Sequence, residues 1–269
     1  MNSQTVLPSF LAALILLLLA VVLVKKYRFN RLLALLLVVL PVILGNLYYL
    51  RMVLPQQREQ ALLNQARARL ASEPPWRTIK QQEPALYKQL DDELMAEVRD
   101  GVPISAAMGH LRGMLVNLLN QRIGRAGDQS IDDYIRLSVE EMATLRAKDP
   151  QLCFKFLFPQ VSGGVNMSEV LPVALQQRDL RQMDALLRDS AGAEHTVDLP
   201  AARQSLQGIV RTLYAKWGND LQWLNAPADA MPDRAKMCDM TIDLYRAILA
   251  LPTKQSANVL RMMLGANAG

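Results

Sequence analysis

Cys153, Cys238, His110 and His195 are the only cysteines and histidines in this chain. Zinc sites place such residues at short, recurring spacings; these four are scattered, so no metal site is expected. Nucleophilic pairs need only proximity in space, which leaves two pairings open: Cys153 with His110, and Ser190 with His195. Nothing local supports either. His110, flanked by Gly109, reads as a packed, hydrogen-bonded core histidine. Glu140-Glu141 are two carboxylates of the kind glycosidases use, but adjacent residues on a helix point apart. The same holds for Asp91-Asp92-Glu93, which read as a solvated helix face rather than a cation site. The sequence holds no glycine-rich phosphate loop, GxSxG elbow or HExxH pair. No cofactor is expected, and catalysis is the lesser expectation.

The cysteines carry a different chemistry. In an oxidising compartment Cys153 and Cys238 can bridge, closing a loop of more than 80 residues and contributing about 4 kcal/mol on the chain-entropy model. In a reducing one they are two small apolar side chains on helix faces. Binding chemistry points to Gln160, Ser162, Gly163, Gly164 and Asn166. These form a polar, glycine-containing loop set on the Phe-rich stretch Phe154–Phe158, and binding residues concentrate on loops held by rigid scaffolds.

The elements that must position these residues are helical. Val6–Val24 and Leu32–Leu50 are uncharged apolar runs, each close to the roughly 20 residues a helix needs to cross a bilayer. Only a helix satisfies the backbone there. Lys25, Lys26, Arg28 and Arg31 crowd the connector 25–31, and short basic connectors stay in the cytoplasm. The expected arrangement is therefore a transmembrane hairpin over 1–54, in a bacterial inner membrane, with the C-terminal domain in the periplasm. The reversed hairpin would make the protein a cytoplasm-facing regulator. A cleaved signal peptide fits less well, because no basic n-region precedes the first run and a second long run follows at once.

Five basic residues and no acid precede residue 52, so the other 25 basic residues face all 25 acids and the domain is neutral by formal count. A nucleic-acid binder would show a basic face, so none is expected as a partner.

Beyond the hairpin, helical spacing predicts Gln56–Ser72 as a membrane-proximal helix, closing a segment 55–75 at Pro74-Pro75. The domain 76–269 follows, with Trp76 as its first core residue. Ile104–Ile123 is predicted as one central helix, with Gly109 and Gly113 allowing close approach of a neighbour. Ser130 to Asp133 predict a capping-box start. Met167–Gln177 and Asp179–Arg188 are predicted as two short helices with Ser168 and Asp179 as caps, and Ala201–Leu224 as one long helix. No useful strand-period alternation occurs. The fold expected is all-α, a helical bundle or solenoid-like stack. The leading functional expectation is an inner-membrane-anchored module that binds an envelope protein, in inhibition, immunity or assembly. The alternative is an envelope enzyme acting on lipid or peptidoglycan.

Overall fold

The computed structural model describes residues 31–225 and 233–265, together with Leu14, Ile15, Leu18, Val21 and Lys25. The described residues are helical with no strand, and the chain divides into two units, Met1–Asn64 and Gln65–Gly269.

In the first unit, α1 (Arg31–Tyr48) carries the second apolar run. Leu40, Ile43, Leu44 and Leu47 are about half exposed, the state expected of side chains selected to meet lipid. Asn46, the polar exception, returns its amide to Val42 O at 2.9 Å. The π-helical turn Tyr49–Val53 follows, and the Leu54 N–H bonds to Tyr49 O. Pro55 has no N–H to donate, so the regular ladder must be interrupted here, and the wider turn absorbs the interruption. The chain thus continues directly into α2 (Leu54–Ser72) instead of restarting at Gln56. Among the described residues, one helix, Val38–Ser72, is long and apolar enough to cross a membrane, and no residue of its apolar window is buried. Most of the first apolar run, with Lys26 and Arg28, lies outside the described residues; Leu14, Ile15, Leu18, Val21 and Lys25 are helical.

The second unit is built on α7 (Asp128–Lys148). Packed on it are α8 (Pro150–Leu157), α11 (Val173–Asp189), α13 (Arg234–Leu249) and α14 (Thr253–Gly265). The expected central helix is instead two pieces, α5 (Ile104–His110) and α6 (Arg112–Arg122), parted at Leu111. Gly109 and Gly113 bracket the break and weaken the helix on both sides of it. α7 wins the centre because apolar residues stand on more than one of its faces: Ile131, Ile135, Leu137, Val139, Met142 and Leu145 are all buried. Its N-cap is Gly127, not Ser130, whose hydroxyl bonds to the Asp189 carboxylate.

Around this core run α3 (Trp76–Gln82), α4 (Pro84–Arg99), α9 (Pro159–Ser162), α10 (Met167–Val170) and α12 (Leu199–Trp217). Three further expectations are corrected. The pair of helices over 167–188 is one turn, α10, followed by the unbroken α11, because Leu171-Pro172 are extended and Pro172 starts the second helix. Asp179 is therefore inside a helix and caps nothing. The helix over 201–224 ends at Trp217, since Gly218 adopts a φ of 56° and the chain tightens into a 3-10 segment, Gly218–Asn225. Trp76 is 2% exposed and packs in the core.

Cys153 on α8 and Cys238 on α13 are joined by a disulfide, with Cα atoms 6.1 Å apart and a sequence separation of 85. Both cysteines lie among Leu137, Met142, Leu145, Met167 and Ile242 in the buried core.

Candidate functional site

Two depressions of the second unit share Gly109, Arg112 and Met167 in their walls. The larger, about 630 Å³, is walled by Val116, Phe156, Pro159 and Val165, with Asn117, Tyr134 and Lys155 among its polar side chains. The smaller, about 100 Å³, lies against Trp76, Met108, Leu171 and Leu180, with Arg69, Glu73 and Asp179 at its polar side.

The bend between α5 and α6 places Arg112 between the two. Its Nε and Nη2 both donate to Asp179 Oδ2, at 3.1 and 2.8 Å. Glu141 Oε2 lies 3.8 Å from Arg112 Nη2. Glu141 is 1% exposed, and its Oε1 has no hydrogen-bond partner. Burial first, and the neighbouring Asp179 charge second, push the Glu141 carboxyl up to about 8. A hydrogen bond links the Glu141 and Asp179 carboxyls, so the protonated Glu141 donates to the Asp179 carboxylate. The group is a neutral set: one guanidinium, one carboxylate and one carboxylic acid. Tyr134, beside it, has its hydroxyl held protonated by burial. A second buried carboxyl, Asp132 on the same helix, is raised by burial, and its Oδ1 has no hydrogen-bond partner among the described residues.

The loop expected to bind contributes only in part. Gly163, Gly164 and Asn166 line the larger cavity. Gln160 is an exposed residue of α9, and Ser162 turns its hydroxyl back to Phe158 O. Gly163 and Gly164 hold φ of 84° and 70°, values that side chains other than hydrogen resist. Asn166 caps α10, its Oδ1 accepting from Ser168 N and Ser168 Oγ. This cap presses on Gly109: a Cβ there would sit 2.8 Å from Asn166 Oδ1, whereas at Gly113 it would meet nothing within 4 Å. Of these two glycines, close approach is therefore made only at Gly109, by the start of α10.

The open nucleophile pairings do not assemble. Cys153 is in the disulfide, so it offers no thiolate. Ser190 is buried and gives its hydroxyl to Leu187 O, while His195 is exposed. His110, expected in the core, is half exposed and bonds Glu97 through Nδ1 at 2.9 Å. It is the last residue of the short α5. Asp91 and Asp92 form surface ion pairs with Arg67 and Lys88. Among the described residues, no group of His, Cys, Asp and Glu could hold a metal ion.

Residue spacing marked Glu141 only as the neighbour of Glu140 and Asp179 only as a cap, and it marked neither Arg112 nor Lys155. A signal did exist for two of them. Asp179 stands four residues from Leu175 and from Met183, and Glu141 four from Leu137 and from Leu145, all buried. A charge inside an apolar stripe is a charge that must find a buried partner. No protein-family model matches this chain, and no significant match is found among curated proteins or solved structures.

Proposed function

We propose that this chain is a two-span protein of a bacterial inner membrane whose helical domain binds a protein partner in the periplasm, for inhibition, immunity or envelope assembly. The observation that carries the reading is the disulfide between Cys153 and Cys238, in the unit that follows an apolar helix long enough to span. Disulfides persist in oxidising spaces and are rare in the cytosol. The basic connector 25–31 supports the same orientation by an independent rule, because it is the part retained inside. For binding, the support is a cavity of about 630 Å³ whose polar groups include no assembled nucleophile.

The test is a pair of reporters fused after Gly269, one active only in the periplasm and one fluorescent only in the cytosol. Together with non-reducing gels after thiol alkylation, periplasmic activity and blocked thiols are expected. Cytosolic fluorescence with two free thiols would replace this reading with that of a cytoplasm-facing regulator.

One observation favours catalysis as a second reading. Glu141 is a carboxylic acid raised to about 8 close to two cavities, and perturbed acids gather at active sites. Against it, Glu141 lines neither cavity, and its acid proton is already spent in a hydrogen bond to Asp179, which also holds the Arg112 guanidinium. Glu141→Gln keeps the hydrogen bond and removes the acid, so a cellular phenotype unchanged in that variant would end the catalytic reading.

A further inference from the structure

We infer that the larger cavity receives the carboxyl end of a partner polypeptide whose last side chain is apolar. The inference rests on the reading of the domain as a partner-binding module, and it names what the partner presents.

The charge of the cavity comes first. Three basic side chains line it, His110, Arg112 and Lys155, and no acidic one does. Two of the three are already engaged: Arg112 by Asp179, and His110 by Glu97. Lys155 is half-buried on α8 and has no ion-pair or hydrogen-bond partner among the described residues. An ammonium withdrawn in part from water without a counter-ion is unfavourable, and an arriving anion relieves it. A single free cation suits a single negative charge. A phosphate group would call for a cluster of free cations or a bidentate guanidinium, and the one guanidinium here is spent on Asp179.

The rest of the lining fits a peptide behind that charge. Asn117 and the Tyr134 hydroxyl also have no hydrogen-bond partner among the described residues. An amide and a hydroxyl can answer the N–H and C=O groups of an extended chain. Val116, Phe156 and Val165 supply an apolar wall for a side chain. Gly163 and Gly164 present backbone without Cβ atoms, so an incoming main chain can approach closely. The volume lies within the few hundred to about 1,000 Å³ of pockets that enclose small ligands. Capture of a terminal carboxylate beside an apolar pocket is a recurring mode of peptide recognition.

The experiment uses the full chain in lipid nanodiscs and fluorescent octapeptides with varied last residues, each made with a free and with an amidated carboxyl end. Binding is followed by anisotropy, and sodium octanoate is the competing small carboxylate. Peptides ending in Leu, Ile, Val or Phe are expected to bind. Amidation or Lys155→Glu should weaken them about tenfold or more, the worth of one charge-assisted hydrogen bond. Lys155→Gln should weaken them similarly with the disulfide and helical content unchanged, which separates lost binding from lost fold. No binding by any peptide, equal binding of amidated and free forms, or binding of octanoate alone would overturn the inference. If a partner protein still co-purifies equally with wild type and Lys155→Glu, this inference falls while the module reading stands.

Discussion

Arg112 and Asp179 stand 67 residues apart in sequence, and the guanidinium makes two hydrogen bonds to one carboxylate oxygen, at 2.8 and 3.1 Å. The pair ties α6 to α11 at the junction of the two cavities. Such a pair repays its desolvation only when its geometry is good, yet removing one member strands the other. Asp179→Ala is expected to cost about 3 kcal/mol or more. The double change Arg112→Met with Asp179→Leu should cost clearly less. Denaturant melts of the purified full chain, followed by tryptophan fluorescence, would check this, and equal losses in both variants would contradict it.

Glu141 gives the fold a pH dependence of definite sign. Its carboxyl is pushed up to about 8 in the folded chain, from 4.5 for an ordinary glutamate. Between these values the folded state holds a proton that the unfolded state has released. Stability contributed by this group is therefore fully present in acid, falls as pH rises from about 5 to about 8, and levels off above. The limiting slope is about 1.4 kcal/mol per pH unit. Glu141→Gln should flatten the dependence, since the amide can still donate to Asp179. Melting temperatures at pH 5.5, 7 and 8.5 would reveal the difference, and parallel curves for the two proteins would rule it out.

Reduction should weaken the domain substantially. The bridge closes 85 residues of sequence, for which chain entropy predicts about 4 kcal/mol. Cys153→Ser with Cys238→Ser is expected to lose about that much and to become insensitive to reductant. Each single variant should retain one alkylatable thiol. Thermal melts with and without dithiothreitol provide the reading.

Gly109 and Gly113 should respond oppositely to alanine. Gly113→Ala meets open space and is expected to stabilise by about 0.5–1 kcal/mol through helix propensity. Gly109→Ala places a methyl 2.8 Å from the cap oxygen of Asn166, so the Asn166 cap on α10 must give way. Loss of such a cap costs about 1 kcal/mol, and the crowding adds to it. The two melting temperatures should move in opposite directions; a shared increase would mean that Asn166 yields without cost.

The sequence made the helical character of the chain legible through spacing alone. Leu206, Ile209, Leu213 and Trp217 fall on one stripe, and α12 forms around them. Asp149-Pro150 stops α7 and starts α8, with Asp149 accepting from Gln151 N at 2.8 Å. Where spacing misled, the competing influence was local backbone chemistry. Two glycines split the segment 104–123, Pro172 restarted the chain once rather than twice, and Gly218 ended α12 early. The apolar runs and their basic connector were equally plain, because lipid imposes its length requirement on consecutive residues.

By itself, then, the sequence determined what depends on neighbours along the chain: the helices, the apolar stretch Leu32–Leu50, and a domain without net charge. Only the tertiary structure decided what depends on distant residues meeting. It brought Cys153 to Cys238 and Arg112 to Asp179, and it buried Glu141 beside Arg112 and Asp179, where burial favours the protonated acid. It also left Lys155 facing a cavity without a counter-ion among the described residues. The reason is physical: periodicity reports which face of a helix is buried, whereas the partner found there is fixed by how helices separated by tens of residues pack against one another.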